Sequence, residues 1–308
     1  MHMRVLSHFY DLPGISSEIH VPRCHWYASA TDDEWWGENL ERFPREFQSR
    51  SNVICCERIL PIPKIIRESL IDEYCPVDLQ TKAKSDPSNK DCLIRLYVGK
   101  RREPRSSRFF TLQNFLLHID QMKDLEHDID EISTNMADAL AVLHWRIKID
   151  ADDVEFVLGS APTRSTIPTF SKPLTLAEIR SLPKNTSTWA SSFENFTRRT
   201  VHMWMLDFNC CKDMPMDKKG VEQAVVAFFR NDLYYPCPYG QSSRDQNLWV
   251  TFKNRYLKTS FELIGDSPEK NLPTMFITEV EKEQRRRMER RQDTTSSERI
   301  FGPWDEEK

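Results

Sequence analysis

The sequence predicts a mixed α+β protein, because helix-like and strand-like patterns both occur along its 308 residues. Apolar residues recur every three or four positions over 129–146 and 220–232, which is typical of amphipathic helices. Apolar and polar residues alternate over 92–99 and 154–158, which is typical of strands. A chain of this length has enough apolar residues for one large domain or two small ones.

The composition is that of an ordinary globular protein, with 29% charged and 39% hydrophobic residues. The net charge of −4 gives no overall attraction to nucleic acid, so binding of that kind would require local basic patches. The sequence contains no run of eighteen apolar residues, and residues 1–14 lack the apolar stretch of a signal peptide. We therefore expect a cytoplasmic protein without a membrane partner.

The spacing of the eight cysteines argues against a local zinc finger. None belongs to a CxxC pair, and the adjacent pairs at 55–56 and 210–211 do not match the usual finger spacing. A disulfide framework is not expected in a protein of the cytoplasm. We expect reduced and mostly buried thiols; a zinc site assembled from distant parts of the fold is the alternative.

The other elements follow from local patterns. We expect a short strand at 19–29, and then a helix that has Thr31 as its N-cap and Trp35, Trp36 and Leu40 on one side. Further predictions in chain order are a buried strand over 52–63, a helix over 64–76, a polar loop over 77–91, helices over 109–122 and 128–146, a strand over 202–209, and helices over 220–232 and 248–264. Residues 160–190, which are rich in Ser, Thr and Pro, are predicted to be an insertion or a lid.

The stretch 136–159 holds the strongest functional signal. Asp150, Asp152, Asp153 and Glu155 lie within six residues, between an apolar helix and a hydrophobic strand. Four acids flanked by apolar segments indicate a site for a partner of opposite charge. A fifth acid, Asp207, ends the later strand HMWMLDFN.

The order of these elements resembles the C-lobe of protein kinases and aminoglycoside phosphotransferases. The strand CCERILPIP precedes helices that end in LH, and an acidic loop, a strand and the sequence LDFN follow. The resemblance implies a single kinase-like, C-lobe-dominated domain over 1–280, with a reduced N-terminal sheet within 1–76 and a mostly helical part over 92–280. Residues 281–308 would form a charged, partly disordered tail. Asp207 would take the place of the metal-binding Asp.

The kinase resemblance fails at the catalytic base. In kinases an Asp lies five residues before the metal-binding Asn of the catalytic loop. The positions five residues before Asp152 and Asp153 hold Ile147 and Lys148, and neither side chain can act as that base. The glycine-rich loop and the phosphate-binding lysine also have no counterpart in the sequence.

A closer resemblance is to a fungal family labelled only as a domain of unknown function and sometimes mislabelled as a zinc finger. The matching pieces include VPRCHWY, DEWWGENLERFP, ERILPIPKIIRESLIDEYCP, CLIRLYVGKRR, MADALAVLHWRIKIDADDVEFVLG, MWMLDFN and VEQAVVAFFRNDLYYP, which cover most of residues 20–260. Fungal arginine-containing cyclodipeptide synthases resemble this family. The resemblance implies an aminoacyltransferase of secondary metabolism that condenses arginyl-tRNA with a second aminoacyl-tRNA, and downstream tailoring enzymes that act on the diketopiperazine product.

The acid cluster suits that chemistry. A carboxylate can take the proton of an attacking α-amine, and a second carboxylate can bind the permanently charged guanidinium of arginine. We expect Glu155 and Asp152 to be the most important, followed by Asp153 and Asp150, with Asp207 as a further contributor from the adjacent strand. The reaction requires no cofactor, although oxygen ligands would favour magnesium over zinc if a metal binds.

Transfer RNA would have to be held through its phosphates by basic side chains. The candidates in the segment KRREPRSSR are Arg101, Arg102, Arg105 and Arg108, and a solvated loop is the alternative interpretation. A second group of arginines lies near the C-terminus, where an exposed helix of alternating charge explains it equally well: Arg285, Arg286, Arg287, Arg290 and Arg291.

Two other function classes remain open at this stage. One is a kinase-like phosphotransferase or ATP-binding pseudokinase, which LDFN after an acidic loop favours. The other is a non-catalytic interaction module, which the missing N-lobe motifs and the charged tail favour. No GxGxxG, GxxxxGK[ST], HExxH or GxSxG motif is present to decide between them.

Overall fold

The computed structural model describes residues 1–10, 19–102, 109–163, 195–231, 234–240 and 242–300. The helices are α1 (His2–Tyr10), α2 (Asp33–Asn39), α3 (Lys64–Tyr74), α4 (Gln80–Ser85), α5 (Ile119–Asp124), α6 (Ile129–Ala141), α7 (Lys218–Arg230), α8 (Ser243–Ile264) and α9 (Leu272–Ile300). The strands are β1 (Ile19–His20), β2 (Cys24–Ala28), β3 (Val53–Cys56), β4 (Ile94–Tyr97), β5 (Phe115–His118), β6 (Glu155–Thr163) and β7 (Asn195–Leu206). The predicted α+β class is confirmed.

Five strands form one mixed sheet in the order β1-β7-β6-β4-β5. Strands β6 and β7 are the longest and pair antiparallel, with Glu155 opposite Leu206 and Gly159 opposite His202. Strand β4 pairs antiparallel with β6 and parallel with β5, and β1 pairs parallel with β7. The β6–β7 pairing brings the acidic loop before β6 to the same end of the sheet as Asp207, which follows β7.

A helical layer packs against this sheet. Helix α6 contacts α8 along its length, and α7 packs against α9. The face predicted for α6 is buried throughout, and so is the face predicted for α7: Ala137, Leu140, Ala141 and His144 on α6 and its extension, and Val221, Ala224, Val225 and Phe228 on α7. These faces meet a core of aromatic rings in which Phe228 stacks on Tyr235 at a centroid distance of 5.1 Å.

Strands β2 and β3 form a separate two-stranded sheet beside α2. Trp35 and Trp36 are buried there, as the sequence predicted, and Leu40 packs against them. The N-cap of α2 is Asp32 rather than Thr31, because the Asp32 carboxylate accepts a hydrogen bond from Trp35 N at 3.0 Å. The prediction of a buried strand over 52–63 is wrong in part, since β3 is short and its residue Ile54 is exposed.

Two sequence predictions between residues 77 and 122 are wrong. The predicted loop 77–91 contains α4 and a 3-10 turn, Pro87–Lys90, because Ala83 and Asn89 are buried and the side-chain oxygen Oδ1 of Asn89 accepts a hydrogen bond from Leu112 N at 2.7 Å. The predicted helix 109–122 contains β5 followed by the short α5. Parallel pairing with β4 stabilises β5, and local periodicity does not reveal such long-range pairing.

Most of the segment predicted to be an insertion or a lid, 160–190, lies outside the described residues. Within the described chain, α9 continues the predicted charged C-terminal segment as a helix to Ile300. None of the helices in the described ranges is both long and apolar enough to span a membrane. All eight cysteines have free thiols; Cys24, Cys75, Cys92 and Cys211 are buried, whereas Cys210 is exposed.

Candidate functional site

The acidic loop between α6 and β6 has an unusual backbone. Helix α6 continues as a π-helical turn, Val142–Ile147, which ends at Lys148 in the left-handed conformation with φ 63°. Ala151, Asp153 and Asp207 also have positive φ, and together these four are the majority of the seven such non-glycine residues in the described chain. Residues of this kind are concentrated at functional sites, where the surrounding structure compensates for the strain.

Asp150 shapes this loop from inside. Its buried carboxylate accepts hydrogen bonds from Lys212 N at 2.9 Å, from Asp152 N at 3.2 Å and from Gln223 Nε2 at 2.7 Å. The first of these donors belongs to the segment after β7 and the last to α7. Asp150 therefore ties three parts of the chain together, and its oxygens are not available to a ligand.

Asp152 is also used within the fold. Its buried carboxylate forms an ion pair with Arg230 Nη1 at 2.5 Å, at the end of α7. The next residue, Asn231, donates to Ala151 O at 2.8 Å and accepts from Asp153 N at 3.1 Å. The sequence analysis did not identify Arg230 or Asn231, although their position at the end of a predicted helix is typical of residues that anchor a neighbouring loop.

Glu155, Asp153 and Asp207 form the part of the acid cluster that the fold leaves open. Glu155 is the first residue of β6 and lies opposite Leu206, the residue before Asp207. Glu155 and Asp207 are partly exposed and Asp153 is exposed. Burial raises the pKa of Glu155 above its ordinary value, and the negative charges of Asp207 and Asp153 raise it further. The three carboxylates are therefore electrostatically coupled.

Arg95 on β4 binds the most buried of these three carboxylates. Its Nη2 lies 2.8 Å from Glu155 Oε1, and this positive charge opposes the rise in the pKa of Glu155. The sequence analysis missed Arg95, although an arginine between Ile94 and Leu96 in a predicted strand was a signal for a charged partner. Arg95 holds the Glu155 carboxylate in one orientation.

Tyr234 lies behind this ion pair. Its ring packs edge-on against Tyr97 at a centroid distance of 5.1 Å, and Val98 N donates to its carbonyl oxygen at 3.2 Å. Its hydroxyl group is buried and forms no hydrogen bond with the described residues. Burial, and then the charge of Glu155, raises the pKa of Tyr234 far above its ordinary value, so the phenol remains neutral.

One part of this region resembles a known family. Residues 203–268 match the family DUF3669, described as a zinc finger protein. The match covers about a fifth of the chain and includes Asp207, α7 and α8. No curated protein and no solved structure matches the chain.

The description as a zinc finger protein finds no support in the donor groups of the described residues. Across the described ranges, no three His, Cys, Asp or Glu side chains are arranged to hold a metal ion. Within the matched segment, burial raises the pKa of Cys211 to about 12, and its thiol donates to Asp152 O at 3.5 Å. In this environment the Cys211 thiol is protonated and acts as a hydrogen-bond donor within the fold.

The arginines predicted to bind tRNA differ in their partners and in their exposure. Arg101 is held by Asp245, with Nη2 2.7 Å from Oδ1, and by Ser242. Arg102 is exposed and lies over the Tyr74 ring. Arg105 and Arg108 lie outside the described residues. Arg101 is therefore occupied by the N-terminal cap of α8.

Several of the C-terminal arginines on α9 also have partners within the protein. Arg285 donates to the Tyr239 hydroxyl at 2.8 Å, and Arg286 and Arg287 pair with Glu283. Arg287 also lies over the Phe229 ring, with its guanidinium carbon 4.1 Å from the centroid. These contacts favour the interpretation of a charged helix that packs on the domain.

Proposed function

We propose that this protein is a tRNA-dependent arginine-containing cyclodipeptide synthase, which condenses arginyl-tRNA with a second aminoacyl-tRNA to a cyclo-Arg-Xaa diketopiperazine. The observation that carries the proposal is the state of Glu155. It is a partly buried carboxylate with a raised pKa, oriented by Arg95, beside the carboxylates of Asp153 and Asp207. A general base and a guanidinium site are therefore adjacent.

Glu155 acts as the base in this proposal. It takes a proton from the α-ammonium group of one aminoacyl ester, and the resulting amine attacks the ester carbonyl carbon of the other. The first C–N bond forms as one ester C–O bond breaks; of the two protons that the α-ammonium group loses, Glu155 takes one and the departing ribose oxygen takes the other. The free α-amine of the resulting dipeptidyl ester then attacks its own ester carbonyl carbon, so that a second C–N bond forms, the second ribose hydroxyl leaves and the ring closes. A raised pKa brings the carboxylate closer to the pKa of the amine, which makes it a better acceptor.

Asp153 and Asp207 bind the guanidinium of the arginyl group. A guanidinium presents two parallel N–H donors that match carboxylate oxygens, and the charge attraction is strong at a partly buried site. Asp150 and Asp152 have a different role in this assignment, because their oxygens already bind backbone amides, Gln223 and Arg230. They hold the loop that presents Asp153.

The site and its surroundings also support a kinase-like organisation of the domain. The acidic loop follows α6, strands β6 and β7 pair antiparallel, and Asp207 comes directly after β7. A kinase-like phosphotransferase is the second candidate on this observation, with Asp153 and Asp207 as oxygen ligands of magnesium. Lys148 at the position of the catalytic base argues against phosphoryl transfer.

A synthase assay tests the first proposal directly. The protein is incubated with arginyl-tRNA and a mixture of other aminoacyl-tRNAs, without ATP, and diketopiperazines are detected by mass spectrometry. We expect a cyclo-Arg-Xaa product from the wild type and a large loss of rate for Glu155→Gln. The control is Glu38→Gln, which removes an equivalent carboxylate from the exposed surface of α2 and should leave the rate unchanged.

Two results would reject the synthase. The first is the absence of product with every pair of aminoacyl-tRNAs, and the second is full activity of Glu155→Gln. Thermal stabilisation by ATP with magnesium, lost in Asp207→Asn, would support the phosphotransferase instead, because a ligand that binds only the native state raises the melting temperature. A non-catalytic interaction module predicts neither product nor nucleotide binding.

A further inference from the structure

A group of exposed cations borders the acidic loop. Arg146 and Lys148 lie at the end of the π-helical turn, Lys212 lies in the segment after β7, and Lys219 lies in the first turn of α7. We call Arg146, Lys148, Lys212 and Lys219 the basic margin. All four side chains are exposed.

The tertiary structure brings these residues together from three segments. Ile149 and Asp213 form an antiparallel bridge, with Met214 N donating to Lys148 O at 2.9 Å and Asp150 N donating to Lys212 O at 3.1 Å. Gln223, one helical turn after Lys219, donates to Asp213 O at 3.2 Å. Lys148, Lys212 and the start of α7 are therefore joined by direct hydrogen bonds.

Among the described residues, the basic margin differs from the neighbouring cations in having no ion-pair partner. Arg4 pairs with Asp213, Lys218 with Glu222 at 3.7 Å, and Arg230 with Asp152. Across the described ranges, none of the four residues of the margin forms a salt bridge. A hydrogen bond from Ser267 lowers the pKa of Glu269, and the charge of Lys148 lowers it further, so Glu269 is an acid close to the margin.

The basic margin and the carboxylates match the opposite charges on the two parts of the proposed substrate. An arginyl-tRNA has a cationic amino-acid end on a polyanionic body, and the carboxylates of Asp153 and Asp207 would attract the first and repel the second. A phosphate chain can approach an acidic site only if nearby cations offset that repulsion. The basic margin supplies those cations next to the loop, since Lys212 follows Asp207 by five residues and its amide binds Asp150.

We propose that the basic margin binds the sugar-phosphate backbone of the tRNA while the amino-acid end lies at Glu155, Asp153 and Asp207. This inference rests on the proposed function and deepens it, because it names the surface that receives the RNA. It differs from the surface expected at Arg101–Arg108, of which Arg101 is held by Asp245 and Ser242. Each lysine or arginine that contacts a phosphate releases counterions, which makes the affinity depend on salt.

The test measures binding rather than catalysis. Fluorescence anisotropy with labelled, uncharged tRNA over a salt series gives the slope of log affinity against log salt for the wild type and the triple variant Lys148→Gln/Lys212→Gln/Lys219→Gln. We expect the variant to bind more weakly and its slope to fall by about 2, since each lost phosphate contact removes roughly 0.7–0.9. The control triple, Arg42→Gln/Arg45→Gln/Lys258→Gln, changes the net charge equally at exposed positions elsewhere and should keep the wild-type slope. Circular dichroism melting verifies that both triples are folded.

Four outcomes overturn the proposal. The first three are an unchanged slope in the margin variant, an equal fall in both triples, and absence of tRNA binding by the wild type at low salt. A fourth is tighter binding of the wild type to phosphatidylserine vesicles than to tRNA, which would assign the margin to a membrane surface. The synthase assay is independent: product formation with an unchanged slope rejects the margin alone, and a reduced slope without product rejects the synthase alone.

Discussion

Arg95 on β4 and Glu155 on β6 form a diagonal cross-strand ion pair. The register pairs Arg95 with Val157, two residues beyond Glu155, and the guanidinium reaches back to place Nη2 2.8 Å from Oε1. Long side chains at diagonal positions on one face of an antiparallel pair are within reach of each other. The pair fixes the orientation of Glu155 and limits the rise in its pKa, and both effects bear on its proposed role as a base.

Replacing Arg95 should move the pH dependence of the reaction. Glu155 accepts a proton only as a carboxylate, so activity falls as the pH decreases through its pKa. Arg95→Gln removes the charge that lowers this pKa, and we expect the acidic limb of the kcat/KM profile to shift to higher pH. Arg58→Gln, which removes an exposed ion pair with Asp91, is the control and should leave the limb in place.

If the Arg95→Gln profile coincides with that of the wild type, Glu155 is not the group that titrates in the reaction. A uniform decrease in rate at every pH would mean that Arg95 only orients Glu155, because the limb itself would then be unmoved.

Isosteric substitutions should separate the structural acids from the open ones. Asp150→Asn places an amide group against Gln223 Nε2 and loses a charge-assisted hydrogen bond, so the free energy of unfolding should fall by about 1–3 kcal/mol. Asp153→Asn keeps a residue type that tolerates the positive φ and should change stability by less than about 0.5 kcal/mol. Urea denaturation measures both.

In the synthase assay, by contrast, we expect the effect on substrate binding from Asp153→Asn. Asp153→Asn should raise KM for arginyl-tRNA, because the neutral amide does not attract the guanidinium. A stable Asp150→Asn protein together with a severely unfolded Asp153→Asn protein would reverse the division of roles described for the loop.

Two of the buried tyrosines, Tyr234 and Tyr256, should respond oppositely to loss of their hydroxyl groups. In the described chain the Tyr234 hydroxyl has no hydrogen-bond partner, whereas the Tyr256 hydroxyl accepts from Trp145 Nε1 at 2.9 Å and lies 2.9 Å from His144 Nδ1. Tyr234→Phe removes an unsatisfied polar group and should stabilise the protein by about 1 kcal/mol. Tyr256→Phe leaves the buried Trp145 Nε1 donor and His144 Nδ1 without their partner and should destabilise it by about 1–3 kcal/mol. Equal destabilisation of both variants in thermal melts would show that Tyr234 has a partner in solution.

His144 should make the protein sensitive to acid. It is fully buried, and burial lowers its pKa to about 3. Because its neutral form is the native one, its contribution to stability is complete above the unfolded-state pKa of about 6.5 and is lost as the pH falls from there toward 3. Between about pH 7 and pH 5 the wild type should lose ~2 kcal/mol more unfolding free energy than His144→Gln. Parallel stability curves for the two proteins would contradict this assignment.

The sequence by itself determined the elements whose residues depend mainly on near neighbours. The buried faces of α6 and α7 followed from helical periodicity, and the acidic loop followed from four carboxylates between apolar segments. Strand β5 did not follow, because its four residues are stabilised by pairing with β4 rather than by a local pattern. Helix α4 was missed because its sequence is polar apart from Ala83, which the rest of the fold buries. The turn after α4 contains Asn89, whose Oδ1 accepts a hydrogen bond from the distant Leu112 N.

The tertiary structure alone decided which carboxylates are open. Asp150, Asp152, Asp153 and Glu155 are chemically alike in sequence, and nothing local distinguishes the buried pair from the other two. Their roles depend on partners that lie 60 or more residues away along the chain, such as Lys212 and Arg230. The antiparallel pairing of β6 and β7 and the packing of α7 bring these partners to the loop. The buried carboxylates of Asp150 and Asp152 shape the loop through Lys212 N, Gln223 and Arg230. Asp153, by contrast, is exposed, and Glu155, which pairs with Arg95, is only partly buried.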